Sequence, residues 1–81
     1  MVSVEEIEQC LMVLDDVSLV RATGDGKHYQ LIVVSDRFAG QAAVVRQQWV
    51  YAQLKDYITT GRLHALTMKT WTTAEWEKQH G

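Results

Sequence analysis

Two short runs separated by glycines constrain this chain more than any other feature of it. Val17-Ser18-Leu19-Val20-Arg21-Ala22 reads as a short strand, and Tyr29-Gln30-Leu31-Ile32-Val33-Val34-Ser35 as a longer one rich in β-branched residues, which pack well on a pleated surface and are stiff in a helix. Gly24-Asp25-Gly26 lies between them, and glycine accepts the positive φ that tight hairpin turns need. The pattern predicts an antiparallel hairpin of a short and a longer strand. The glycine loop is not a phosphate loop, being too short for either nucleotide fingerprint and having no helix directly after it.

The remaining segments read mainly as helices. Ser3 followed by Glu6 makes a capping box, and Val4, Ile7, Leu11 and Leu14 recur at helical spacing, predicting a first helix over 4–14. Phe38 and Gly40 mark a turn, after which Gln41 to Thr60 is helical in character. Its apolar residues fall into two displaced sets, Ala42, Val45 and Trp49, then Val50, Leu54, Tyr57 and Ile58. Two consecutive helices, or one bent helix, account for the displacement. Gly61 is a C-terminal stop. A third strand is expected over Leu63 to Lys69, and Thr72 with Glu75 makes a second capping box opening a short last helix through Trp76.

That order predicts an α+β domain: a three-stranded mixed sheet with helices packed on one face, the third strand returning parallel to a neighbour after the helical pair. The other face is left partly open, and partners are expected there or in the groove beside the helical pair. With 81 residues the chain has length for one small domain, 1–81, and 47% apolar with 22% charged residues fits an ordinary globular protein. A single cysteine, Cys10, excludes an internal disulfide framework and a metal site made from this chain's thiolates alone. Cys10 lies beside the first helix's apolar stripe and is expected to fill core; a reducing, cytoplasmic setting is the default.

No run approaches the roughly 18 apolar residues of a membrane span. Met1-Val2-Ser3-Val4-Glu5-Glu6 lacks a basic start and apolar core, so no secretion signal is expected and the mature chain is expected to begin near Met1. The formal net charge of −2 hides an asymmetry: residues 1–36 hold seven acids and two bases, whereas 37–69 hold five bases, Arg37, Arg46, Lys55, Arg62 and Lys69, and one acid, Asp56. The middle of the chain is mildly basic, too weakly so for strong nonspecific nucleic-acid binding.

Candidate chemistry centres on histidine. In Gly61-Arg62-Leu63-His64-Ala65-Leu66-Thr67-Met68-Lys69, alternation sets His64 with Leu66 and Met68 on one face and Leu63, Ala65 and Thr67 on the other. An imidazole at a strand mouth is placed to be exposed, as a hydrogen-bonded surface residue or as a ligand to something brought from outside. His28 enters the second strand from the hairpin loop and reads as a loop residue. No serine or cysteine nucleophile has a legible base and the carboxylates cluster in the first helix and turns, so no catalytic residue is assigned and enzymatic activity is not expected.

Several segments taken in order carry a family resemblance. Gly24-Asp25-Gly26-Lys27-His28-Tyr29, Val33-Val34-Ser35, Phe38-Ala39-Gly40, Val44-Val45-Arg46-Gln47-Gln48-Trp49-Val50-Tyr51, Leu63-His64-Ala65-Leu66 and Thr72-Thr73-Ala74-Glu75-Trp76 together resemble the BolA family over nearly the whole chain. Gln47-Gln48 in place of an Arg-His pair resembles its short bacterial, IbaG-like subgroup, and Thr73 stands where a proline is usual.

The resemblance implies a class II KH-like fold and a non-enzymatic protein. It also implies a monothiol glutaredoxin as partner, the chain being a monomer alone and a heterodimer with that partner. A bridging 2Fe-2S cluster would be shared with the glutaredoxin and its glutathione, with no cofactor on the isolated chain. The family's ligand histidine falls on His64, and a second ligand from the hairpin loop falls near His28. Imidazole in place of thiolate raises a cluster's potential and makes ligation sensitive to pH. Arg46, Arg62 and Lys69 would steer an acidic partner.

A DNA-binding transcriptional regulator of stress response is the other reading. The stretch Val44 to Thr60 resembles a helix-turn-helix with Arg46, Gln47, Gln48 and Lys55 available for phosphates and base edges, although so few charges predict weak, salt-sensitive binding. No G-x-x-G loop occurs in Gln41 to Arg62, so KH-type RNA binding is not carried over with the fold.

Overall fold

The computed structural model describes residues 2–25 and 27–80, the last without its side chain. The chain runs α1 (Val4–Met12), β1 (Val17–Gly24), β2 (His28–Ser35), a single turn of 3₁₀ helix (Asp36–Phe38), α2 (Ala43–Gln53), α3 (Lys55–Thr59), β3 (Ala65–Trp71) and α4 (Thr73–His80). The sheet order is β1-β2-β3, with β1 antiparallel and β3 parallel to β2. The α+β mixed sheet expected from the pattern is therefore the architecture observed.

Both capping boxes form. Ser3 Oγ accepts from the Glu6 N–H while a Glu6 carboxylate oxygen accepts from the Ser3 N–H. Thr72 and Glu75 exchange the same pair of bonds at the head of α4. The helical stretch divides at Leu54, whose φ of −101° and ψ of 12° leave the α-helical region. Gly61, at φ 76°, then ends α3: its N–H donates to the Ile58 carbonyl and the Arg62 N–H to the Tyr57 carbonyl, the pairing of a Schellman stop. The Thr73 N–H, which a proline would lack, donates to Asp36 Oδ1 and ties α4 to the 3₁₀ turn.

Alternation along the strands sorts the sheet into two faces. Val20, Ala22, Tyr29, Leu31, Val33 and Met68 are buried toward the helices, where they meet Ile7 and Leu11 of α1, Val50 and Leu54 at the α2–α3 junction, and Phe38. A bulge between Val17 and Leu19 shifts the β1–β2 register, which is why Val17 and Val20 reach the same face although three residues apart. Phe38 is fully buried, edge-to-face with Trp49 at a centroid distance of 5.7 Å, and Arg37 lies 4.2 Å over the Trp49 ring. The helical layer carries one refinement: Trp76 of α4 packs on Trp71, which shares the opposite face with its register partner Val34. The far end of that face is covered, and the rest is open.

Several boundaries differ from the sequence reading, among them β3, which runs on to Trp71, and α4, which runs on to His80. The first helix ends at Met12, two residues early. β1 extends to Gly24, where the backbone passes so close to Tyr29 that an added Cβ would fall 2.6 Å from its ring. β3 begins at Ala65 rather than Leu63 because the Arg62 and Leu63 N–H groups both donate to the Tyr57 carbonyl. Leu63 enters the core, 2% exposed, from this turn and not from a strand face. Gly26 of the expected turn lies outside the described residues. The neighbouring Asp25 makes a tight turn of its own, its Oδ1 accepting from the Lys27 and His28 N–H groups at 2.9 Å.

Candidate functional site

The break at Leu54 and the Schellman stop at Gly61 together decide where His64 lies. Leu54 and Leu63 are anchored in the core on either side of α3, so the chain must turn back sharply and deliver the next residue to the surface. His64 is exposed, and its ring carbon Cε1 lies within ordinary contact distance of the position a Gly61 Cβ would take, 3.9 Å. The ring borders an open groove of about 440 Å³ between α2, α3 and the start of β3.

Tyr51, Ala52, Ile58, Leu63 and Leu66 supply the apolar wall of this groove, and Gln48, Lys55, Thr59 and His64 its polar groups. Tyr51 and Ile58 are 40% and 38% exposed, so this wall presents apolar surface to solvent. Among the described residues no group hydrogen-bonds the His64 ring, which leaves both ring nitrogens to solvent or to a ligand. The arrangement offers one imidazole and one ammonium beside an apolar trough. It suits recognition of another surface better than enclosure of a small molecule.

The candidate residues divide sharply. Gln48 and Lys55, singled out for base and phosphate contacts, converge on the groove of His64. Gln47 is half-buried and does not line it. Arg46 is committed to the fold: its side chain is 12% exposed, its guanidinium meets both Glu75 carboxylate oxygens at 2.8 and 3.3 Å, and it also donates to the Gln41 and Thr70 carbonyls. The Arg46 guanidinium, with the Thr72 N–H, holds the Glu75 carboxyl down to about 2. Arg62 pairs with Glu6 at 3.1 Å and lies over the Tyr57 ring. Lys69 is exposed on the open face of the sheet, away from the groove.

His28 is exposed at the start of β2, and the parallel register sets it opposite Ala65, the residue after His64. The two histidines thus share one end of the sheet. Alternation assigns His28 to the open face with Ala65, whereas His64 borders the groove on the helical side with Leu66. Cys10 is half-buried, its Sγ donates to the Gln53 carbonyl, and burial raises its thiol pKa. It is core filling, as its place beside the α1 stripe suggested, and is poorly suited to ligation. Among the described residues no group of three or more His, Cys, Asp or Glu side chains is placed to hold a metal ion. A metal group held here would have to bring most of its ligands with it, and His64 is an exposed imidazole that could complete such a set.

The groove's apolar wall is what sequence reasoning missed. Tyr51 belongs to neither displaced stripe of the helical stretch, and that was its only signal.

A three-stranded mixed sheet of this order with helices packed on it defines a small α+β domain, and the BolA-like protein family model matches residues 8–75. The chain belongs to the BolA-like family. Among curated proteins it is similar to the acid stress protein IbaG of Escherichia coli K12, 41% identical over 73 residues, 90% of this chain and 87% of that one. It is also 37% identical over 54 residues to the DNA-binding transcriptional regulator BolA of the same organism, 67% of this chain and 50% of that one. Among solved structures, a BolA homologue from Coxiella burnetii superposes with a TM-score of 0.82 at 35% identity, covering 95% of this chain and 99% of that one. No described helix is long and apolar enough to cross a membrane.

Proposed function

We propose that this chain is a non-catalytic adaptor that pairs with a monothiol glutaredoxin, and that His64 is its ligand to a 2Fe-2S cluster bridging the two proteins. The observation that carries the reading is the exposed imidazole with no hydrogen-bond partner among the described residues, set on the rim of an apolar groove. A surface that must bury against a partner and present one donor there needs these two features together. The glutaredoxin and its glutathione would bring thiolates; bound so, the cluster would supply electron-transfer or transfer chemistry that this chain alone lacks. His28 is the second candidate ligand on register alone. Similarity to an acid stress protein supports a role in stress response.

The test is anaerobic reconstitution with a monothiol glutaredoxin, glutathione, iron and sulfide. A heterodimer is expected whose visible absorption and circular dichroism differ from those of the glutaredoxin homodimer. His64→Ala should abolish that difference while leaving the fold unchanged; an unaltered spectrum would remove His64 from the ligand set. Equal loss in His28→Ala assigns two histidine ligands, and indifference there leaves His28 as a loop residue.

A second reading, DNA binding, is favoured by the similarity to the Escherichia coli regulator and by exposed Gln48 and Lys55 on the helical pair. It loses its strongest phosphate contact in Arg46, which is held within the fold. Specific gel-shift binding at physiological salt, abolished by Gln48→Ala with Lys55→Ala, would rank it above the cluster role.

A further inference from the structure

The open face of the sheet carries a second recognition surface that the His64 reading does not use. Register places Arg21 opposite Ile32 and Ile32 opposite Lys69, so these three side chains form one row across all three strands. Thr23, Gln30 and Thr67 form the next row in the same way. Together they line a trough of about 460 Å³. Arg21 and Lys69 are exposed, and among the described residues neither has an ion-pair or hydrogen-bond partner. That sets them apart from Arg37, Arg46 and Arg62, each of which is paired with a carboxylate.

We infer that this row is a docking site for an extended acidic segment of a partner protein, with an apolar residue between two acids. Two cations that the fold leaves unpaired on either side of a half-buried isoleucine complement an acid–apolar–acid pattern. Strand spacing roots the cations about 10 Å apart. In an extended segment, side chains at first, third and fifth positions share one side and the outer two stand about 13 Å apart, within reach of two long flexible cationic side chains. The threonine and glutamine row offers hydroxyl and amide donors to the segment's carbonyls. The trough has no aromatic side chain on which bases would stack, and two cations are few for a phosphate backbone, so the chemistry selects a carboxylate-bearing peptide over a nucleic acid. The trough lies on the face opposite the groove of His64, which lets both surfaces be occupied together.

The test is an amide chemical-shift titration of the protein with a synthetic peptide containing Glu-Thr-Leu-Thr-Glu. Shifts are expected to centre on the rows of Arg21, Ile32 and Lys69 and of Thr23, Gln30 and Thr67, to fade with added salt, and to persist in His64→Ala. The double variant Arg21→Gln with Lys69→Gln should bind about tenfold more weakly; each single variant, at an exposed position, serves if the double does not fold. The inference is overturned by shifts that map to the His64 groove, by equal binding of the Gln-Thr-Leu-Thr-Gln peptide, or by variants that bind as the parent does. Tighter binding of inorganic polyphosphate to the same rows would overturn it in favour of a bare anion site.

Discussion

Replacing Phe38 by alanine should come close to unfolding this protein. The ring is fully buried where the 3₁₀ turn, α2 and the sheet meet, and Trp49 packs edge-on against it. Truncating a buried phenylalanine costs about 3–5 kcal/mol through lost transfer energy and the cavity left behind, and losing an aromatic pair adds about 0.5–1.5 kcal/mol beyond area burial. At about 0.05–0.15 kcal/mol per residue, a chain of 81 residues has roughly 4–12 kcal/mol of stability in all. The substitution therefore removes between about a third of it and the whole. Urea titration followed by tryptophan fluorescence reads this directly, because Trp49 loses its partner. With a slope of about 1–2 kcal/mol/M the midpoint should fall by roughly 2–6 M. Phe38→Leu, which keeps most of the volume, should cost about 1–1.5 kcal/mol. A midpoint within about 0.5 M of the parent's for Phe38→Ala, with unchanged slope, would refute the claim that this ring is central to the core.

Two further expectations concern the helix ends. The Glu75 carboxyl is held at about 2, chiefly by Arg46, below its ordinary 4.5, so the ionised form is favoured by folding; its contribution is present above about pH 4.5 and lost as pH falls toward 2. Glu75→Gln should therefore lower stability at neutral pH and flatten the decline of melting temperature across that window; a decline as steep as the parent's would show that Glu75 does not drive it. Gly61→Ala meets no steric obstacle, the nearest atom being 3.9 Å away, but must hold φ at 76°, a left-handed conformation costing about 1–2 kcal/mol. Thermal melts should show that loss, with Gly61→Asn less affected; an Ala variant as stable as the parent would contradict the Schellman stop.

Much of this fold was legible because its signals are local. The two capping boxes, the hairpin runs, the split helical stretch and the glycine stop each depend on residues within a few positions of one another, and each forms. The errors occurred where a distant contact overrode local pattern. Leu63 reads as a strand residue by alternation, yet its N–H donates to the Tyr57 carbonyl in a turn and its side chain is buried in the core, which places it outside the sheet. Val17 and Val20 share a face only because of a bulge that no spacing announces. Phe38 reads as a turn marker, although its ring is among the largest fully buried side chains.

For the candidate site the division is similar. His64 was identifiable as an exposed imidazole after a glycine break, and Cys10 as a core-filling neighbour of a helical stripe, because each inference needs only the residue and its flanks. Charge counting placed Arg46 among the available cations, but its availability depends on Glu75, 29 positions along the chain. What the sequence determined by itself is the set of elements and the scarcity of ligands, since periodicity, capping and composition are properties of the chain. What only the tertiary structure decided is which cations are spent on the fold, Arg46 on Glu75, Arg62 on Glu6 and Arg37 on Asp16, and that two of those left unpaired, Arg21 and Lys69, face solvent across one row of the sheet. The physical reason is that a charge becomes structural or functional according to what lies within a few ångströms of it, and those neighbours are set by strand register and helix packing.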